Sequence, residues 1–341
     1  MRQVSGQSIA GEKLRLGFIG CGGIAQYHAK ALTGDLGVDV AALSDPSREA
    51  IARLKNAAPI LRDAKEYTDY SSMIEKEELD GVLILSPHVY HREQIVEALR
   101  RGIHVLVEKP MVVNADEARD VLRMAESSRR VVAVAYQRRT DGLFNYVKRV
   151  AGPVGLGAPV FIEYQLSQDW TLFSKGTWRA DPRLAGGGFL MDSGSHVVDM
   201  MLWFAGGLPR EVYAALSSKE GWGAELFASI TARWDGCTLC MSLNGDAPLW
   251  SERLRIYCEG GLVAYLEELG SRSVWVLERE AQSLRRPVKE VPPSSSPLAN
   301  FVRAVRGLEK PAASAEDGFR VALFKDACYR SAKLGAPVRL S

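Results

Sequence analysis

The sequence predicts an α/β domain built on a doubly wound parallel sheet, followed by an α+β domain with a large, mostly antiparallel open sheet. Two patterns carry this expectation. In the first half, short near-continuous Val/Ile/Leu runs alternate with helical stretches, the mark of parallel strands covered on both faces. In the second half, strand-like runs follow one another with few long helices between them. Turn signals such as Trp234-Asp235-Gly236 and Asn244-Gly245-Asp246 separate these runs. A chain of 341 residues has room for two such domains.

Taken in order, Leu14 to Ile19 reads as a strand and Ile24 to Leu32 as the helix after it. Val38 to Leu43 is the next strand, followed by a helix over Ser47 to Asn56. Val82 to Ser86, Ile103 to Val107 and Val131 to Tyr136 are later strands, with helices over Tyr90 to Arg101 and Asn114 to Ser127. Strand–helix repetition of this kind builds a parallel sheet. Beyond it, Pro159 to Leu166, Glu211 to Ser217, Glu225 to Trp234 and Thr238 to Leu243 read as strands. One long helix, from about Gly187 to Phe204, precedes most of them. The run Pro292-Pro293-Ser294-Ser295-Ser296-Pro297 reads as a linker before two terminal helices. The expected domains are residues 13–136 and 137–341, with the C-terminal helices free to pack back on the first.

Composition narrows the function. Lys and Arg total 43 against 41 Asp and Glu, a net charge of +2 that offers no field for nucleic acid or an anionic membrane. No apolar run approaches the roughly 20 residues a membrane helix needs, and the N-terminus lacks a secretory pattern. Five cysteines do not form a disulfide framework, so a reducing cytoplasm is expected. Cys237-x-x-Cys240 has no second pair, and no ligand cluster for a metal is visible.

Three motifs carry chemistry. The first is Gly20-Cys21-Gly22-Gly23-Ile24-Ala25, a G-x-G-x-x-A between a strand and a helix. It allows a tight turn, close approach of the backbone to a pyrophosphate, and close packing of helix on strand. The helix N-terminus adds free N–H groups and partial positive charge. Asp45 ends the next strand 23 residues after Gly22, where a carboxylate binds ribose hydroxyls and repels a 2′-phosphate. Arg48 tempers that preference, since it could neutralise such a phosphate. The second motif is Glu108-Lys109-Pro110, at the carboxyl end of a strand, where open parallel sheets bind ligands. An ordinary surface lysine in a proline turn is the plainer alternative. The third is Gly186-Gly187-Gly188 followed by Asp192, His196 and Asp199. In a helix these three lie at about 0°, 40° and −20°, one polar stripe on an otherwise apolar surface. They either face a polar site or satisfy one another under the core. His91, near Ser86-Pro87, either lines the nucleotide crevice or caps its helix. Gln137-Arg138-Arg139 falls at the same carboxyl edge, and Trp178-Arg179 could reach the crevice.

These motifs, in this order and over nearly the whole chain, resemble the Gfo/Idh/MocA oxidoreductases, the glucose-fructose oxidoreductase and inositol dehydrogenase type. The pattern runs through Ser86-Pro87 and Glu108-Lys109-Pro110 to W-R-x-D-P-x-x-x-G-G-G-x-L-x-D-x-G-x-H-x-x-D from Trp178 to Asp199, then Glu316-Asp317-Gly318. The resemblance implies a Rossmann domain binding NAD, with NADP the lesser alternative. It implies hydride transfer at a secondary hydroxyl of a sugar, sugar derivative or cyclitol. It makes Lys109, Asp192 and His196 the catalytic positions. The cofactor would be held by Gly20, Gly22, Gly23, Ile24, Ala25, Asp45, Arg48, Ser86, Pro87, His91, Glu108, Lys109 and Gln137. Arg138, Trp178, Arg179, Asp192 and His196 would face the substrate. A homodimer or homotetramer is expected, since members pair their second-domain sheets and Leu239, Met241 and Leu243 form an apolar face that a second copy, or instead a helix of the same chain, must cover. Two other branches remain open: an NAD-dependent redox-assisted glycoside hydrolase or lyase, and a non-catalytic nucleotide-binding regulator.

Overall fold

A computed structural model describes residues 13–279, 284–285 and 291–340. The chain divides into two compact units, each considered by itself. The first holds the described residues up to Met111, then Arg119–Tyr136 and Ser295–Glu316. The second holds Val112–Ala118, Gln137–Ser294 and Asp317–Ser341.

In the first unit the chain runs through β1 (Leu14–Ile19), α1 (Gly23–Lys30), β2 (Val38–Ser44), α2 (Arg48–Ala57), β3 (Lys65–Tyr67) and α3 (Tyr70–Lys76). It continues through β4 (Gly81–Ile84), α4 (His91–Arg100), β5 (His104–Val107), α5 (Ala115–Ser128, shared with the second unit) and β6 (Val132–Val134). The strands form one sheet in the order β3-β2-β1-β4-β5-β6, and every pairing is parallel. Hydrophobic runs dictate this outcome. β4 is buried at all four residues and β1 at its last four, so both faces need helical cover. On one face Leu16, Phe18, Leu43 and Leu83 pack with Ile51 and Leu54 of α2 and with Phe301. Each such side chain contributes about 1.5–3 kcal/mol on burial. The strand order reverses between β1 and β4, which makes the loops after these strands a switch point where ligands bind. β3 and α3 went unread in the sequence, because three residues with little burial carry no hydrophobic signal.

The second unit contains α6 (Gly142–Val150), β7 (Pro159–Asp169), α7 (Trp170–Ser174), α8 (Pro182–Ala185) and α9 (Ser193–Ala205). It continues with β8 (Glu211–Ser217), β9 (Phe227–Arg233), β10 (Thr238–Asn244), β11 (Asp246–Cys258), β12 (Gly261–Glu268), β13 (Ser271–Glu278) and β14 (Leu284–Arg285). After α10 (Pro297–Val305) in the first unit come α11 (Ala315–Leu334) and β15 (Val338–Arg339). Nine strands among the described residues form a sheet in the order β14-β13-β12-β11-β7-β10-β9-β8-β15. All pairings are antiparallel except β7 with β10. Burial alternates along β9 and β10, the signature of one covered and one open face.

Two expectations change. Leu239, Met241 and Leu243 are at most 3 % exposed within this one chain. A Cβ on Gly194 of α9 would stand 3.2 Å from Leu243. The apolar face therefore has its own cover and gives no argument for a second copy. The helix read from Gly187 begins only at Ser193. Gly186 to Asp192 is a tight turn, and Gly188 explains why: a Cβ there would meet the Glu225 carbonyl at 2.1 Å.

Candidate active site

In the first unit, taken by itself, the candidate residues lie at the carboxyl edge of the sheet. β1 ends in Gly20 at φ +99°, a left-handed conformation, and a Cβ there would lie 2.8 Å from the Leu85 backbone. The glycine thus lets the loops after β1 and β4 touch. Gly22 sits at the N-cap of α1 with no side-chain cap, so the first N–H groups of the helix have no partner from that source. A Cβ on Gly22 or Gly23 would meet open space. A bare, open helix start after a glycine turn fits a pyrophosphate. Ala25 is fully buried, Ile24 half-buried.

Asp45 has a structural part at the end of β2. Its Oδ2 accepts the Cys21 N–H at 2.8 Å and its Oδ1 accepts the Ser47 N–H at 2.9 Å. The carboxylate therefore ties the glycine loop to the end of β2 while each oxygen retains a lone pair for a further donor. Burial and the Asp45 charge push the Cys21 thiol up to about 12, so this cysteine is inert. Arg48 is exposed at the first turn of α2.

Two buried imidazoles brace the segment that carries Lys109. His28 of α1 is fully buried, with Nε2 2.8 Å from Glu108 Oε1. The other oxygen of Glu108 accepts the Lys109 N–H at 3.1 Å. His91 is also fully buried, with Nδ1 2.9 Å from the Pro110 carbonyl and Nε2 2.9 Å from the Ser86 carbonyl. Burial lowers the His91 pKa against the opposing pull of those carbonyls. Neither reading of His91 made from sequence describes this bracket between two loops. The Ser86 hydroxyl donates to Gln94 at 2.6 Å, and Pro87 precedes the turn leading into α4.

In the second unit, taken by itself, the candidate residues lie at the start of α9. Asp192 occupies the N-cap position, yet its side chain makes no cap bond. Instead the Trp170 indole N–H donates to Oδ2 at 2.8 Å, and Arg179 Nε lies 3.2 Å from the same oxygen. The Arg179 guanidinium is itself 4.3 Å above the Trp178 ring. His196 follows in the first turns of the helix, half-buried. Glu225 fixes the glycine turn: its carboxylate accepts the N–H of Gly188 at 2.9 Å, that of Leu190 at 3.1 Å and the Tyr329 hydroxyl at 2.8 Å. An internal carboxylate thus fills a cradle of N–H groups that would otherwise suit an external anion. A cavity of about 470 Å³ nearby is lined by Thr171, Lys175, Lys219 and Trp222, whose ring lies 5.8 Å from Trp170.

Other residues singled out in the sequence are engaged elsewhere. Asp199 is 1 % exposed and paired with Arg139 at 2.7 Å, and Arg139 also reaches Asp317 at 3.0 Å. Burial nevertheless pushes the Asp199 carboxyl up to about 6. The proposed polar stripe is therefore broken, with Asp199 in a structural pair. Arg138 pairs with fully buried Glu252 at 2.6 Å, and Glu252 also accepts the Tyr164 hydroxyl at 2.6 Å. That pairing holds one edge of the Arg138 guanidinium inside the unit, while its Nη1 has no hydrogen-bond partner there. The Gln137 carbonyl caps the Thr140 hydroxyl. Trp170, Glu225 and Tyr329 escaped the sequence reading. The only available signal was general: a buried Asp on an apolar helix demands partners from elsewhere. Among the described residues there is no group of side chains suited to a metal ion, and no helix long and apolar enough to cross a membrane.

A parallel sheet with an open glycine turn at its switch point, in a chain whose second unit concentrates Asp and His at one helix start, fits a dinucleotide-dependent oxidoreductase. The chain belongs to the Gfo/Idh/MocA family: residues 14–136 match its oxidoreductase domain with NAD-binding Rossmann fold, and residues 144–264 match its C-terminal domain. It is 29% identical over 323 residues to the rhizopine catabolism protein MocA of Rhizobium meliloti, covering 89% of this chain and 90% of that one. It is 24% identical over 351 residues to an inositol 2-dehydrogenase of Ralstonia nicotianae, covering 96% of each. Among solved structures, the WlbA dehydrogenase of Bordetella pertussis in complex with NADH and UDP-GlcNAcA superposes with a TM-score of 0.84 at 23% identity, over 97% of this chain and 99% of that one. The matched first domain is an NAD-binding Rossmann fold, and the open helix start of α1 fits that cofactor.

Proposed function

We propose that this protein is an NAD-dependent dehydrogenase acting on a secondary hydroxyl of a sugar, sugar derivative or cyclitol. The observation that supports it most is the state of Asp192. A carboxylate at an N-cap normally folds onto the helix N–H groups, but here it is drawn aside by Trp170 and Arg179, four residues before His196. In this reading His196 takes the hydroxyl proton in oxidation and returns it in reduction. Lys109 donates a hydrogen bond to the developing alkoxide, where a positioned cation is most effective. Asp192 accepts from a neighbouring substrate hydroxyl. Bound NAD supplies the hydride acceptor. The glycine loop and α1 hold the pyrophosphate, and Asp45 favours NAD over NADP because its carboxylate repels a 2′-phosphate. Trp222 offers a ring face suited to a polyol, and beside it Lys219, paired with Asp246, retains N–H donors beyond that bond. The names of the inositol and UDP-sugar relatives agree with that substrate class.

The test is a panel of sugars and cyclitols with NAD, followed at the NADH absorbance band. A dehydrogenase accumulates NADH; a redox-assisted hydrolase releases an aglycone without net NADH, and a regulator does neither. We further propose that two copies pair through the open face of the nine-stranded sheet, where Ser217, Ser229 and Ser242 are exposed. A monomer mass by light scattering at micromolar concentration would rule that out. All five cysteines are unpaired, which suits a reducing cytoplasm.

A further inference from the structure

Lysine side chains ordinarily carry their ammonium to solvent. Lys325, in the middle of α11, is an exception at 1 % exposure. Withdrawing an ammonium from water costs several kcal/mol, and an apolar side chain of similar length would fill the same space without that cost. Its function must lie in the polar contacts it makes. Nζ donates to Ser195 Oγ at 2.9 Å and lies 2.9 Å from Met191 Sδ. The Ser195 hydroxyl in turn donates to the Met191 carbonyl. Ammonium, hydroxyl and carbonyl form a chain that closes the first turn of α9 from inside. Met191 immediately precedes Asp192, and Ser195 immediately precedes His196. The residue after Lys325, Asp326, accepts the Ala115 N–H at 2.8 Å and so anchors the same stretch of α11.

We propose that Lys325 is a positioning residue for the reaction, locking the turn from Met191 to Ser195 and thereby aiming the Asp192 carboxylate and the His196 imidazole. This rests on the assignment of Asp192 and His196 to the chemistry.

The experiment compares the wild-type protein with Lys325→Met, which keeps length and removes charge and donors. Histidine ring nitrogens are labelled with 15N and observed by NMR at one pH. The chain has five histidines, and the His196 signals are identified by their loss in His196→Gln. In Lys325→Met we expect the His196 ring signals to shift by several ppm, while those of His28 and His91 stay in place. The melting temperature should be unchanged or higher, as when a buried charge is replaced by an apolar group. His196 signals that coincide with wild type in the folded variant overturn the proposal, whatever happens to stability. If Lys325→Met does not fold, Ser195→Ala deletes the middle member of the chain, and the same two outcomes decide. Because the readout needs no substrate, failure here is separate from failure of the dehydrogenase assignment, which the NADH panel tests.

Discussion

The two regions to which function is assigned here are held in place by different means. At the carboxyl edge of the parallel sheet the fixed points are mostly backbone: Asp45 on the Cys21 and Ser47 amides, His91 on the Ser86 and Pro110 carbonyls, Glu108 on the Lys109 amide. At the start of α9 they are side chains from remote elements. Trp170 and Arg179 hold Asp192, while Glu225 with Tyr329, and Lys325, hold the turn around it. Backbone supports come with the fold and tolerate much change in sequence. Side-chain supports have to be supplied one residue at a time, so they fail one substitution at a time.

The largest effect should come from the residues assigned to proton and charge transfer. Lys109→Ala removes a donor to charge that develops only in the transition state, and should lower kcat about 100- to 1,000-fold. His196→Ala should lower it about 100- to 10,000-fold and erase one limb of the pH–rate profile. Steady-state kinetics on the substrate found in the panel decide this; near-normal turnover in either variant would return the residue to a structural role.

A smaller loss should follow from Glu225→Gln, which turns an amide N–H₂ toward N–H donors. With several bonds to one carboxylate weakened, we expect about 1–3 kcal/mol less stability. All seven tryptophans lie in the second unit, so urea unfolding followed by tryptophan fluorescence reads that unit directly. An unchanged midpoint would mean that the glycine turn stands without Glu225.

The regions should also respond to acid with opposite sign. Burial depresses the His91 pKa below 6.5, so its contribution to the first unit is present above about pH 6.5 and lost as pH falls through the folded value. The Asp199 pKa is raised from 3.8 to about 6. Its contribution to the second unit is complete below about pH 4 and lost as pH rises through about 6. Between about pH 7 and pH 5, hydrogen exchange corrected for its intrinsic pH dependence should show α4 loosening while α9 tightens. His91→Gln should abolish the first trend and Asp199→Asn the second. Parallel trends in both helices would contradict the assignment.

The contrast also explains what could be read from the chain alone. The parallel sheet was legible because β1, β4 and β5 are continuous apolar runs, and the glycine loop because Gly20 and Gly22 stand between a strand and a helix. The bracket made by His91 was not, since a histidine two turns from a motif gives no hint of which carbonyls it will meet. Asp192 and His196 were legible as polar residues in an apolar helix. The placement of Asp199 in the same stripe was not correctable without knowing that Arg139 would reach it. Glu225 read as the first residue of a strand, and only the fold reveals that its side chain fills the turn before α9.

The central claim is a division of labour, with cofactor affinity set by the glycine loop and Asp45, and turnover set by Lys109 and by the start of α9. It is tested most directly by crossing two variants in one assay set: NADH affinity by fluorescence titration, and hydride transfer in a single turnover at saturating cofactor. We expect Asp45→Ala to weaken NADH binding while transferring hydride at close to the wild-type rate, and His196→Ala to bind NADH normally while losing transfer. If affinity and transfer fall together in both variants, the two regions do not divide the work and the claim is wrong.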